Sequence, residues 1–170
     1  MTASTDLLID AFGRIRESVD DVLSGLGTAE LGTRIEDEAN SIGWLVWHLT
    51  RIQDDHLADA AGTEQIWTAQ GWYERFGLPF ADFDTGFGHS PDDVAAVSGI
   101  GRQLLNGYHG AVYDNTVRYL KELHVKDLER VVDEGWAPPV TLGVRLVSVL
   151  ADDFQHVGQA AFIRGVLRRG

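Results

Sequence analysis

The chain has 170 residues, 44% of them hydrophobic and 24% charged, which is typical of one globular domain, here residues 1–170, with its own core. Its formal net charge is −12, and no basic stripe could neutralise phosphates, so we expect no binding to nucleic acid or to an anionic membrane surface. No apolar segment approaches the ~20 residues that span a bilayer, and the first residues lack a secretory signal pattern, so we expect a cytoplasmic protein.

Cysteine is absent from the chain. This excludes a disulfide framework, a zinc–thiolate site and a protein thiol that acts as a nucleophile. Any thiol chemistry performed by this chain therefore needs a thiol from a bound small molecule.

Helical periodicity dominates the sequence, and no long run alternates at period two, so we predict an all-α protein. A first helix begins at Thr5 or Asp6 and ends at residues 25–27, where two glycines stop it. A polar connection follows over residues 31–38.

The second helix is the best bounded. Asn40 or Ser41 caps its start, and it runs to about Ala61, with Gly62 as its stop. The helical pattern then breaks over residues 63–90, a glycine-containing stretch that is too aromatic for a disordered loop. We predict an ordered segment with one short helix, which forms either a lid over the bundle end or a wall of a substrate pocket.

A third helical region begins at residues 90–93, where a capping serine precedes proline and two acids. It breaks near residues 99–101 and resumes to about Leu123. After a turn over residues 134–139, Thr141 caps the last long helix. Four principal helices, with a long irregular insertion between the second and third, predict a four-helix bundle.

Asp152 and His156 stand one turn apart on the last helix, so both side chains project from one face. The rest of that face is apolar, with Leu142, Val149, Ala160, Ile163 and Leu167. A carboxylate and an imidazole that point into a core are costly unless something pairs with them. Either a divalent metal ion or hydrogen bonds could pair with these two side chains. The pattern alone leaves both interpretations open.

His48 lies on the inward face of the second helix, with Trp44 and Ile52 as neighbours. Together with Asp152 and His156 it would give a divalent ion three protein ligands and leave a position for water or substrate. Imidazole favours transition metals such as zinc over magnesium or calcium. The alternative is that His48 is a hydrogen-bonded core residue.

The other histidines are weaker candidates for a metal ligand. His56 stands two turns beyond His48, about 12 Å along the helix axis, which is too far for both to bind one ion. We expect His89 to be a surface loop residue, and His109 and His124 to occupy exposed helix positions.

Three further residues have two interpretations each. Asp153, three residues before His156, is the rival of Asp152 as the acidic ligand. Arg145, on the face of His156, is either a snorkelling side chain at the rim or a clamp for a carboxylate on a ligand. Trp44 is either a core aromatic or a platform for a ligand.

The segments Asn40–Leu49 and Asp152–Gln159 resemble the motifs of the DinB superfamily, a group of metal-binding four-helix bundles. The chain is most similar to the branch that includes mycothiol S-transferases and, more distantly, mycothiol-dependent maleylpyruvate isomerase. In that superfamily a histidine on the second helix and a pair at i, i+4 on the last helix hold the metal, which corresponds here to His48, Asp152 and His156. Many members have histidine at position 152 and the isomerase has glutamate, so Asp152 is compatible with a metal.

The resemblance implies a metal-dependent transferase that conjugates a small-molecule thiol, mycothiol, to electrophiles. The implied cofactors are a divalent transition metal, zinc, and the thiol cosubstrate. In this interpretation Arg145, Trp44 or aromatic residues of the 63–90 segment contact the rest of the thiol or the electrophile.

Two alternatives belong to other functional classes. The first is a metal-dependent hydrolase or isomerase on the same site, for which Asp153 and Asp55 are the candidate bases. The second is a non-catalytic binding module. Val147, Leu150 and Phe154 make the opposite face of the last helix apolar, which predicts a possible homodimer contact.

Overall fold

The structure is a computed structural model that describes residues 3–169. Met1 and Thr2, where we expect no signal segment, and Gly170 lie outside the described residues. None of the described helices is both long enough and apolar enough to cross a membrane.

The described chain is mainly helical, and four of its helices are long. In chain order the elements are α1 (Ala3–Leu23), α2 (Thr28–Gly32), α3 (Ile42–Ala61), α4 (Ile66–Ala69), α5 (Trp72–Phe76), α6 (Pro91–Ala96), α7 (Arg102–Glu122), a 3₁₀ turn (Val125–Glu129), β1 (Val131–Asp133), β2 (Val140–Thr141) and α8 (Leu142–Leu167).

The four long helices form the predicted four-helix bundle. Both α1 and α3 pack against α7 and α8, so the helices make a closed ring, and the contact between α3 and α8 is the most extensive. The interior of the ring is apolar and fully buried, with Ile15, Val19, Leu45, Leu49, Leu105, Leu142 and Leu146 among its residues. This confirms the predicted all-α fold class.

Local capping chemistry explains where α3 and α8 begin and end. The Ser41 side chain accepts a hydrogen bond from the Trp44 amide, and Thr141 does the same for Val144. Gly62 ends α3 in the left-handed conformation, at φ 66°, which glycine adopts without steric cost. These boundaries agree with the sequence predictions.

The structure adds elements that the sequence analysis did not predict. The insertion contains two short helices, α4 and α5, where we predicted one, and the short helix α2 precedes the polar connection. The predicted turn at 134–139 joins β1 and β2, which pair as a small antiparallel hairpin. These pieces are too short to show a periodic pattern in the sequence.

The insertion is anchored to α3 by a buried acid. Ile66 and Trp67 are the first two residues of α4. Asp54 accepts hydrogen bonds from their amides, at 2.8 and 2.7 Å. The hydroxyl of Tyr108, on α7, also donates to Asp54, at 2.8 Å. The insertion is therefore ordered, as predicted, and is fixed to the bundle through its start.

The outer face of α8 is apolar and open. Val147 is 62% exposed and Phe154 is 43% exposed. This is the face on which the sequence predicts a possible homodimer contact.

Candidate metal centre

The structure brings the three predicted ligands, His48, Asp152 and His156, together. Each offers one ligand atom, and these atoms all lie within 4.8 Å of one another. The site forms where α3 and α8 pack most closely, and the ring centroids of the two histidines are 4.7 Å apart. Within residues 3–169 this is the group whose donor types and spacing suit a metal ion.

The backbone orients the ring of His48. Its Nδ1 lies at 2.5 Å from the carbonyl oxygen of Thr85, and because a carbonyl only accepts, Nδ1 carries the proton. The lone pair is therefore on Nε2, the nitrogen that is free to bind a metal. An outer hydrogen bond of this kind fixes the tautomer of many metal-binding histidines.

His156 is oriented in the same way by its own helix. Its Nδ1 donates to the backbone carbonyl of Asp152 at 2.8 Å, which leaves Nε2 as the ligand atom.

Within residues 3–169, one buried carboxylate oxygen of Asp152 has no hydrogen-bond partner. Oδ2 lies 3.4 Å from Nδ1 of His156, but the two atoms do not meet the geometry of a hydrogen bond. An unsatisfied buried oxygen is costly, and a cation beside the two histidines would satisfy it. The donor set of two imidazoles and one carboxylate fits a transition metal.

The protonation states of two of the ligands suit metal binding. Burial lowers the pKa of His48, so its ring is neutral at pH 7. Burial would raise the pKa of Asp152, but the nearby imidazole of His156 outweighs it, and the pKa is lowered. Burial would lower the pKa of His156, but the carboxylate and the backbone carbonyl of Asp152 outweigh it, and the pKa is raised.

Aromatic side chains cover the His48 side of the site. The Trp44 ring stacks on His48 at 4.6 Å between centroids. Its Nε1 donates to Nδ1 of His89 at 3.1 Å, and Nε2 of His89 donates to Asp84 at 3.1 Å. Trp44, predicted to contact a cosubstrate, thus lies against a candidate metal ligand.

The predictions for His89 and His109 were wrong. The His89 side chain is only 7% exposed and packs against Trp47 and Phe80. His109 is 1% exposed and lies in the bundle core, where Nδ1 meets the Thr50 hydroxyl at 3.2 Å. Leu105 and Val112, four residues before and three residues after His109, are buried on the same face of α7, so the helical spacing did signal its burial. The burial of His89 depends on the path of the insertion and has no such local signal. His124 is exposed, as expected, but it follows the end of α7 and does not lie on a helix.

Asp153 does not belong to the ligand group. Its side chain is fully buried in the core, and both of its carboxylate oxygens lack a hydrogen-bond partner within the described chain. Burial, and then the charge of Asp152, raise its pKa well above the usual value, which favours the neutral acid in the folded protein.

A cleft of about 450 Å³ opens at Asp152. Arg145 lies in its wall, and its Nη2 forms an ion pair with Asp133, on β1, at 2.7 Å. Asp55 and His56 also line the cleft, although His56 is not a ligand. The full lining is Ile52, Asp55, His56, Thr85, Phe87, Trp136, Arg145, Ser148 and Asp152.

The sequence model of the mycothiol-S-transferases matches residues 7–169, nearly the whole chain. The chain belongs to this family, which is DinB-like. A crystal structure of a conserved protein from Enterococcus faecalis is 33% identical, covers 96% of each chain and superposes with a TM-score of 0.89. None of the curated proteins matches the chain. These comparisons confirm the family resemblance inferred from the two motifs and the predicted four-helix-bundle fold.

Proposed function

We propose that the protein is a metal-dependent S-transferase that joins a low-molecular-weight thiol, mycothiol in our proposal, to small-molecule electrophiles. The observation that carries the proposal is the convergence of His48, Asp152 and His156, with an unsatisfied carboxylate oxygen among them. Membership in the mycothiol-S-transferase family supports the choice of the thiol.

The three residues would hold a divalent transition metal, zinc in our proposal. Such an ion, when bound, lowers the pKa of a thiol and so supplies a thiolate at neutral pH. The protein contributes the two oriented imidazoles and one negative charge. Thr85 and the backbone of Asp152 fix the rings, so that little reorganisation accompanies binding.

The reaction itself balances without a redox partner. The thiol gives up its proton to solvent, and its sulfur forms a bond to the electrophilic carbon. A leaving group departs with the electron pair of the bond that breaks. The chain has no cysteine, so no protein thiol competes for the electrophile.

The first test measures metal content by mass spectrometry on protein purified without a tag or chelator. We expect about one zinc per chain in the wild type and loss of the metal in His156→Ala, because three protein ligands are needed to retain it. His124→Ala is the matched control, because His124 is 77% exposed and away from the site, and it keeps its metal.

The second test measures conjugation of mycothiol to an alkyl bromide whose fluorescence rises when a thioether forms. The wild type should accelerate the reaction, and His48→Ala and His156→Ala should abolish the acceleration. Activity that survives both substitutions would rule the proposal out.

A hydrolase or isomerase on the same site is the second candidate. It is favoured by His56 and Asp55 in the cleft wall, where burial first, and then the charge of Arg145, lower the pKa of His56. A neutral imidazole beside a substrate can accept a proton. Turnover of an ester or amide without added thiol would favour this candidate over transfer.

A further inference from the structure

Two large aromatic side chains stand exposed at the same cleft. Phe87, from the segment between α5 and α6, is 89% exposed, and Trp136, from the hairpin turn, is 69% exposed. Both line the cleft that reaches Asp152. Large apolar side chains that converge at a concave site from separate elements are typical of ligand walls.

A cation lies in the wall of the same cleft. The Arg145 side chain is 16% exposed, and its Nη2 donates to Asp133. Within residues 3–169 its guanidinium forms no other hydrogen bond, although it carries five N–H donors. Asp55 and Asp152 also line the cleft, and their carboxylates repel an anion. Arg145 is the lining residue whose positive charge attracts one.

We propose that Phe87 and Trp136 form an aromatic clamp for the acceptor substrate, a planar conjugated electrophile with an anionic group that binds Arg145. This rests on the proposed transferase function and names its acceptor class. The cleft volume of about 450 Å³ suits a molecule of one or two rings.

The apolar character of the clamp is why we assign it to the acceptor and not to the thiol. Phe87, Trp136 and Ile52 are apolar lining residues of the cleft, and aromatic side chains favour stacking with a flat apolar molecule. Cellular low-molecular-weight thiols are polar and need hydrogen-bonding partners along their length.

The test is equilibrium binding by titration calorimetry on the zinc-loaded protein without thiol. The probe is naphthalene-2-sulfonate, which is planar and anionic and whose sulfonate is a weak ligand for metals. Cyclohexanesulfonate is the non-planar comparison. We expect the wild type to bind the naphthalene compound about tenfold more tightly, because only a flat ring stacks on both aromatic side chains.

Phe87→Ala and Trp136→Ala should each remove most of this preference. Phe83→Ala is the matched control, because Phe83 is a 76% exposed phenylalanine of the same segment that lines a different depression. It should bind the probe within twofold of the wild type. Both clamp residues are exposed, so their variants should fold, which circular dichroism verifies.

Arg145→Gln should weaken the binding of both sulfonates by about tenfold. Arg145→Lys should retain part of the affinity, because it keeps the positive charge. Equal affinity for the two sulfonates in the wild type would overturn the clamp. Clamp variants that weaken mycothiol binding but not naphthalene-2-sulfonate binding would overturn the assignment to the acceptor. Because these titrations involve no turnover, their outcome is separate from that of the conjugation assay.

Discussion

The carbonyl group of Thr85 determines which nitrogen of His48 faces the candidate metal position. This contact depends on the next residue, because Gly86 has φ 88°, a conformation that side chains rarely adopt. A Cβ at Gly86 would lie 2.8 Å from the ring of Trp47 and 3.0 Å from Nδ1 of His48. The glycine thus allows the loop to approach the ring closely.

Gly86→Ala is expected to push Thr85 away from His48 and to weaken zinc binding about 10- to 100-fold, as the loss of an outer hydrogen bond to a metal-binding histidine does. Competition with a zinc-binding dye measures the affinity. Gly88→Ala is the control. Gly88 also has a positive φ, 77°, so alanine there is strained in the same way, but no atom lies within 4 Å of its Cβ position, so alanine meets no neighbour. Equal zinc affinity in the two variants would contradict the role of the Thr85 contact.

At the scale of elements, one buried arginine holds the end of the insertion. Arg51, one turn after His48 on α3, donates to the carbonyl oxygens of Asp84 at 3.1 Å and Asp82 at 3.3 Å. It also donates to Gln65 at 2.7 Å. Its side chain is fully buried, so the guanidinium has no water to replace these acceptors.

Arg51→Lys is expected to lower the free energy of unfolding by about 3 kcal/mol, because a single ammonium cannot reach all of these acceptors and leaves some unsatisfied. Hydrogen exchange should become faster over residues 77–90, and urea unfolding measures the stability. Arg34→Lys is the control, because Arg34 is only half-buried and donates one bond, to the carbonyl of Pro91. Its effect should stay within about 0.5 kcal/mol. A loss of stability without faster exchange in this segment would contradict the anchoring role.

The helices could be predicted from sequence because their ends are set by neighbouring residues. Ser41 and Thr141 cap amides three residues away, and the spacing of Asp152 and His156 fixes their shared face. The partners of Arg51 and the burial of His89 depend on how a long insertion returns to α3. No local pattern encodes such a contact, so these features appear only in the folded chain.

At the scale of the whole molecule, the bundle core holds a neutral histidine. The Thr50 hydroxyl donates to the carbonyl of Val46 and accepts from Nδ1 of His109, so Nε2 of His109 is left without a partner within the described chain. Burial, and then the charge of Arg16, lower the pKa of His109 to about 3. Protonation of this ring therefore requires the core to open.

His109 should make the fold sensitive to acid. Its folded pKa lies below the unfolded value of 6.5, so only the unfolded chain takes up the proton between these values. The contribution of His109 to the free energy of unfolding is therefore fully present above pH 6.5. It is lost as the pH falls towards 3, by up to about 1.4 kcal/mol per pH unit.

His109→Gln should therefore gain stability relative to the wild type as the pH is lowered from 7 to 4.5. Urea unfolding at several pH values measures the difference. His124→Gln replaces an exposed histidine, and its curve should run parallel to that of the wild type. Parallel curves for wild type and His109→Gln would show that the ring is protonated in the folded state.

The candidate ligands stand on α3 and on α8, the last long helix, and these two helices share the largest contact in the bundle. During synthesis the chain carries His48 long before Asp152 and His156 leave the ribosome. A nascent chain thus has one ligand and cannot retain an ion that needs three. In the proposed function, loading with metal therefore follows the synthesis and docking of α8, the last long helix.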